Sequence, residues 1–286
     1  MICNQCPRRC NAERNDTSFG FCKMPEDPIV AKADLHFWEE PCISGDKGSG
    51  TIFFSGCSLG CIFCQNKKIS SENFGKKISV NRLVQIMCEL EARGAHNINF
   101  VTPTHYFHSI KSALEIYRPH IPLIYNSSGY ELEDVIMEDI FDIYLLDFKY
   151  FSNETAFRYS GVKNYVEYAS AAIKAAAEIK GKPKFLGELL QSGVIIRHLL
   201  LPNHTKEAIS IVDWVRENTP DIIFSLMAQY IPLDTENAPE INRRVTKREY
   251  NKVSDYLLNS GIKNVYLQEL ESATENYIPN FNLLGV

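Results

Sequence analysis

Seven short apolar runs, at 51–55, 97–101, 122–126, 142–147, 193–200, 222–227 and 263–267, have strand composition and strand length. Helical patterns separate them, and this alternation constrains the fold more than anything else in the chain. Between 80 and 93, Val80, Leu83, Val84, Met87 and Leu90 recur at helical spacing, with Ser79 as N-cap and Gly94 as stop. Segments 106–117, 131–139, 164–180, 205–218 and 246–260 read the same way, and Gly261 closes the last. Strands alternating with helices make βα units and a parallel sheet, either doubly wound or as an incomplete barrel. Residues 1–50 lack the pattern and read as a loop-rich opening with Pro7, Pro25, Pro28 and Pro41. Residues 269–286 lose periodicity and read as a tail packed on the surface.

Composition excludes several classes of function. With 45% hydrophobic and 23% charged residues in 286, the chain is ordinary globular protein, neither disordered nor coiled coil. Thirty basic against 35 acidic side chains give a net charge of −5, which argues against nucleic acid as a partner. Even the greasiest stretch, 193–201, is interrupted by Arg197 and His198, so no membrane span is expected. The N-terminus has no apolar core that could serve as a signal peptide, and a cytoplasmic location is the expectation.

Nine cysteines break this ordinary picture: Cys3, Cys6, Cys10, Cys22, Cys42, Cys57, Cys61, Cys64 and Cys88. An odd number without a secretion signal fits a disulfide scaffold poorly, and clustered cysteines in a reducing compartment read as metal ligands. Cys57-Ser-Leu-Gly-Cys61-Ile-Phe-Cys64 starts just after the first strand of the regular pattern. Three thiolates leave a structural zinc one ligand short, whereas a [4Fe–4S] cubane with three protein ligands keeps one iron open for a small molecule. Gly56 and Gly60 let the backbone wrap closely around such a group. The second set, Cys3, Cys6, Cys10 and Cys22, supplies four thiolates, which saturate either zinc or a second [4Fe–4S] cluster; the spacing does not decide between them. Cys42 could replace one of the four or be a free thiol, and Cys88 reads as a core thiol in a helix.

The three-cysteine loop with aromatic Phe63, in the text GTIFFSGCSLGCIFCQN, resembles the radical S-adenosylmethionine superfamily and its pyruvate formate-lyase-activating-enzyme-like branch. The resemblance continues through Asn126-Ser-Ser-Gly129, Leu146-Asp-Phe-Lys149 and the strand around Arg197. It implies an incomplete parallel (β/α)6-type TIM barrel over 51–268, with a Cys-rich N-terminal extension, 1–50, and the tail 269–286. It also implies that Cys57, Cys61 and Cys64 ligate three irons while the amino and carboxylate groups of S-adenosylmethionine chelate the fourth. One electron then cleaves the cofactor to methionine and a 5′-deoxyadenosyl radical, which takes a hydrogen atom from the substrate. The implied target is a backbone glycine of a glycyl-radical enzyme, with flavodoxin or ferredoxin as electron donor. Rival readings are radical modification of another peptide, RNA or small molecule, and a non-catalytic iron–sulfur protein.

Further cofactor contacts are expected at the other strand ends. Phe63 would pack near the adenine. The second strand runs into Thr102-Pro-Thr-His105 where the superfamily usually has a Gly-Gly-Glu turn, so carbonyls and the hydroxyls of Thr102 and Thr104 would accept from the methionine ammonium. Asn126 and Ser127 stand where relatives carry an Asp-Thr-Asn-Gly turn. Asp147 and Lys149 alternate along one strand and share a face. Arg197 offers a fork suited to a carboxylate, with His198 beside it read as part of the same inward-facing site. Gln229 closes the list, and His105 is a candidate proton-transfer group. Lys67, Lys68, Lys76 and Lys77 read either as solvated lysines or as a docking patch for an acidic electron donor.

Overall fold

The computed structural model describes residues 2–15, 19–270, 273–274 and 278–286. β1 (Ile29–His36) runs antiparallel to β2 (Ser49–Phe54), and the two-residue β3 (Lys76–Lys77) lies on the outer side of β1. From β2 the sheet continues as parallel strands in the order β4 (Ile98–Val101), β5 (Leu123–Ser127), β6 (Ile143–Asp147), β8 (Leu189–Leu199), β9 (Ile223–Met227) and β10 (Asn264–Leu267). Short β7 (Lys184–Leu186) forms a hairpin with the start of β8. Among the described residues β10 pairs only with β9, so the barrel stays open along one side. This is the expected incomplete parallel barrel, with every one of the seven apolar runs in a strand.

The strands are apolar almost throughout because both their faces are buried, as parallel sheets require. Outward residues such as Phe54, Phe100, Tyr125, Tyr144, Ile196 and Phe224 pack under the helices. Inward residues Ile124, Leu145, Ile195 and Ile223 meet Cys42 and Ile43 of the short helix Pro41–Ser44, which plugs the N-terminal end of the barrel. The Ser79 cap is where the sequence places it, and the last helix has a capping box that the sequence reading did not include. The Ser79 side chain accepts from Arg82 N at 3.2 Å to start helix Val80–Ala92, and Thr246 with Glu249 makes a capping box for Lys247–Leu258.

The opening segment holds more structure than its composition signals. Lys32, Asp34 and His36 interrupt the apolar pattern of 29–36, and a bulge between Val30 and Lys32 breaks its register, so β1 is not legible as a strand. Helix Asn153–Ser160 is also absent from the sequence reading, although Ser152 caps it and Gly161 ends it with a φ of 62°. At the other end, Leu283 N donates to Ala31 O and Ala33 N to Leu284 O, which fastens residues 283–284 to β1.

Candidate active site

The three-cysteine loop leaves the C-terminal end of β2, where barrels carry their chemistry. Gly56 turns the chain with a φ of 82°, and a side chain there would collide with Met24. Arg8 ties the loop down from the N-terminal segment, its Nε donating to Ser58 O and an NH2 to Leu59 O, both at 2.9 Å. Phe63 is buried edge-on against Tyr150, Tyr159 and Tyr230. Cys57, Cys61 and Cys64 are half-buried and line one cavity. Donors are aimed at their sulfurs: Ser160 Oγ and Tyr150 OH at Cys61 Sγ, 3.2 and 3.6 Å, and Leu59 N at Cys57 Sγ, 3.4 Å. Burial beside the other two thiols pushes Cys57 up to about 12, so its thiolate needs a neighbouring cation.

The opposite wall of the cavity is a buried ionic cluster. Arg197 donates from Nε to Asp147 Oδ1 at 2.9 Å, from NH1 to Glu39 Oε2 at 3.1 Å and from NH2 to Asn126 Oδ1 at 2.7 Å. Lys149 Nζ binds the second oxygen of Asp147 at 2.6 Å. Glu39 also accepts from Asn99 and Asn126. Burial alone would raise Asp147, but Arg197 and Lys149 hold its carboxyl below the usual range. Glu39 and Glu40 go the other way, raised by burial despite the pull of Arg197. The fork of Arg197 is therefore engaged with protein acceptors rather than held open for a carboxylate.

A profile of the radical SAM superfamily matches residues 51–215, more than half of the chain. The chain belongs to the radical SAM superfamily. It is also 34% identical over 262 residues to the uncharacterized protein MJ0674 of Methanocaldococcus jannaschii, covering 87% of this chain and 72% of that protein. Among solved structures it is similar to Streptococcus suis SuiB bound to precursor peptide SuiA, with a TM-score of 0.51 and 15% identity over 74% of this chain. That likeness is one of fold, and it spans 46% of the SuiB chain.

Membership implies a [4Fe–4S] cluster and S-adenosylmethionine, and the residues present fit both. Among the described residues no three His, Cys, Asp or Glu side chains converge tightly enough for a single metal ion. A cubane asks for something else, since its three thiolates bind three different irons. Cys57, Cys61 and Cys64 border one space, with hydrogen-bond donors on all three sulfurs. Phe63, Thr102, Asn126, Ser127, Asp147, Lys149, Arg197 and Gln229 line the same cavity. Thr102 holds a φ of 61°, costly for a β-branched residue, with its N–H on Asn126 O.

Other residues singled out in the sequence lie elsewhere. Thr104 is buried below the cavity with its hydroxyl on Glu131 Oε1 at 2.7 Å, too far inside to take a ligand's ammonium. His105 is fully buried with Nε2 on Ser55 O, and burial lowers it to about 3, so it stays neutral and faces no cavity. His198 alternates with Arg197 and therefore points outward, under the helices, with Nδ1 on Phe148 O at 2.8 Å. Lys67 pairs with Asp234, Lys68 with Phe281 O, Lys76 with Val286 O and Lys77 with Asp27, so each of the four is engaged by an acceptor of the chain. Cys42 is a buried thiol in the barrel plug.

The N-terminal cysteines lie near one another against the underside of the three-cysteine loop. Cys6 feels the charges of Cys3 and Cys22, and Cys22 those of Cys3 and Cys10. Gly20 presses on Cys10 Sγ so closely that a side chain there would clash, and the carbonyl of Cys22 lies against Gly56. Buried Arg14 braces the segment through the carbonyls of Met24, Pro25 and His105.

Glu39, Glu40 and Glu131 carry no motif and are absent from the sequence reading. Glu131 is fully buried and accepts from Thr104 and from Tyr125 OH, yet desolvation still raises it to about 7. A carboxyl raised on folding stabilises the native state below its unfolded value of 4.5, and that stability is lost as the pH rises through 7. Glu131→Gln should remove this loss. Wild type should fall relative to the variant by on the order of 3 kcal/mol between pH 4.5 and 8, read from urea midpoints. A constant difference across that range would show that Glu131 titrates normally.

Proposed function

We propose that this chain cleaves S-adenosylmethionine reductively and draws a hydrogen atom from a polypeptide substrate, a backbone glycine of a partner enzyme being the target. The observation that carries this reading is the one cavity lined both by the three sulfurs and by Asp147, Lys149 and Arg197. When bound, the cluster and S-adenosylmethionine supply one-electron cleavage to methionine and a 5′-deoxyadenosyl radical. Within the chain, Phe63 and its tyrosines wall the cavity against water, Lys149 offers its ammonium and Gln229 its amide to the cofactor. An open barrel flank suits a substrate that stays part of a larger chain, and SuiB, bound to a precursor peptide, shares the fold.

The N-terminal cysteines are read as a second, closed metal centre. Four thiolates saturate either zinc or a [4Fe–4S] cubane, and the compact Cys3-x2-Cys6-x3-Cys10 triplet suits the cubane. Placed under the catalytic loop, it lies on a path for electrons from flavodoxin or ferredoxin.

Anaerobic protein with dithionite and S-adenosylmethionine should release 5′-deoxyadenosine. With a substrate deuterated at glycine Cα, the deuterium should appear in the 5′-deoxyadenosine. Release of 5′-deoxyadenosine without deuterium transfer from any glycyl-radical enzyme would set the glycine target aside, and no release would set aside the radical reading.

A further inference from the structure

A groove on the open flank of the barrel runs between the loop after β1 and the edge strand β10, and the charged side chains in its walls are all acidic. Glu39, Glu40, Asp46 and Glu188 line it, with Phe37, Trp38 and Tyr266, and no Lys, Arg or His is among its walls. Trp38, Glu39, Glu40, Gln229 and Gln268 also border the active-site cavity, so the groove leads into it. Phe37 and Trp38 are 49% and 59% exposed, an unusual state for aromatic rings at a groove mouth.

At the inner end of the groove the protein leaves acceptors unused. Glu40 is 6% exposed and its Oε2 has no hydrogen-bond partner. The Ser225 hydroxyl, on the inward face of β9 and 1% exposed, is directed at the Glu40 carboxyl and has no other partner. A buried polar atom without a partner costs about 1–3 kcal/mol, which a fold retains where a ligand later satisfies it. The local charge points the same way. Among the described residues Glu39, Glu40 and Asp147 share two cations, Arg197 and Lys149, and burial still raises Glu39 and Glu40, so a further cation would favour their charged forms. Glu39 is already satisfied by Arg197, Asn99 and Asn126, which leaves Glu40 as the open acceptor.

We propose that this groove is a subsite for a lysine side chain of the polypeptide substrate, its ammonium seated on Glu40 and Ser225 and its stem lying across Trp38. An ammonium supplies the donor that Glu40 Oε2 lacks, a further donor for the Ser225 oxygen, and a cation beside the buried carboxyls. The aromatic rim favours the same ligand through cation–π attraction. The inference rests on the polypeptide reading above and names a second determinant of its substrate, close to the reacting position.

Binding can be measured apart from turnover. Anaerobically reconstituted protein, loaded with S-adenosylmethionine, is titrated calorimetrically with Ac-Gly-Lys-Gly-NH2 and with its norleucine counterpart. The lysine peptide should bind at least about tenfold more tightly, since one charge-assisted contact is worth that much. Glu40→Gln, which preserves shape, should abolish the preference. Trp38→Leu, on a ring 59% exposed, should weaken the lysine peptide about threefold. Equal affinity of the two peptides in wild type, or an undiminished preference in Glu40→Gln, overturns the subsite. A protein that keeps the preference yet releases no 5′-deoxyadenosine would refute the radical reading alone.

Discussion

Replacing Cys57, Cys61 and Cys64 together with Ala should abolish 5′-deoxyadenosine formation, and Cys61→Ala alone should do the same. Each sulfur holds a different iron in the expected cluster, so a cubane left with two protein ligands is labile. Cys61 is the most heavily supported of the three, with Ser160 Oγ at 3.2 Å and Tyr150 OH at 3.6 Å both pointing at its sulfur. Loss of turnover should be total within detection, measured as 5′-deoxyadenosine per chain under dithionite. The triple variant serves a second purpose, because whatever metal it retains belongs to Cys3, Cys6, Cys10 and Cys22. About four irons per chain would support the second cluster, whereas one zinc would return the site to a structural knuckle. Neither metal in protein purified without oxygen would remove the second site, and undiminished turnover would remove the radical assignment.

Arg197→Ala should unfold the protein much more readily, by about 3–5 kcal/mol, the cost of leaving buried charges unpaired. The side chains of Arg197, Asp147 and Glu39 are only 13%, 16% and 9% exposed, and the guanidinium joins β8 to β6, β5 and the loop after β1. Its removal strands Asp147 with Lys149 alone and Glu39 with two amides. Arg197→Lys keeps the charge without the fork and should fall between the two. The measurement is the urea midpoint of the apoprotein, which separates this structural cost from any loss of cofactor affinity. A midpoint within experimental error of wild type would mean that the cluster contributes nothing and that Arg197 is held for ligand binding alone.

The elements readable in the sequence are those whose signal is local. A strand such as 142–147 declares itself by apolar content. Helix Val80–Ala92 declares itself by spacing and by Ser79, and the metal motif sits in eight consecutive residues. Asp147 and Lys149 were legible as a pair because strand alternation puts them on one face. The same alternation separates Arg197 from His198, which packs under the helices with Phe148. His105 and Thr104 fail for a related reason: their segment forms a short 3-10 turn that buries both below the cavity floor.

Distant pairings escape such reading. Glu39 reaches Arg197 across 158 residues, and nothing in Phe-Trp-Glu-Glu marks those carboxyls for the barrel interior. β1 is hidden for the same reason, since polar Lys32, Asp34 and His36 are tolerated only because β2 and the 283–284 segment supply its hydrogen bonds. By itself the sequence determined the alternating βα order, the three-thiol loop and the chemistry that loop can support, because periodicity, caps and ligand valence act over a few residues. Only the tertiary structure decided that the fork of Arg197 is spent inside the protein, that the four lysines are paired, and that Glu40 faces an acidic groove without a partner. Those outcomes depend on which side chains from remote strands converge, and desolvation then fixes which of their charges must be matched.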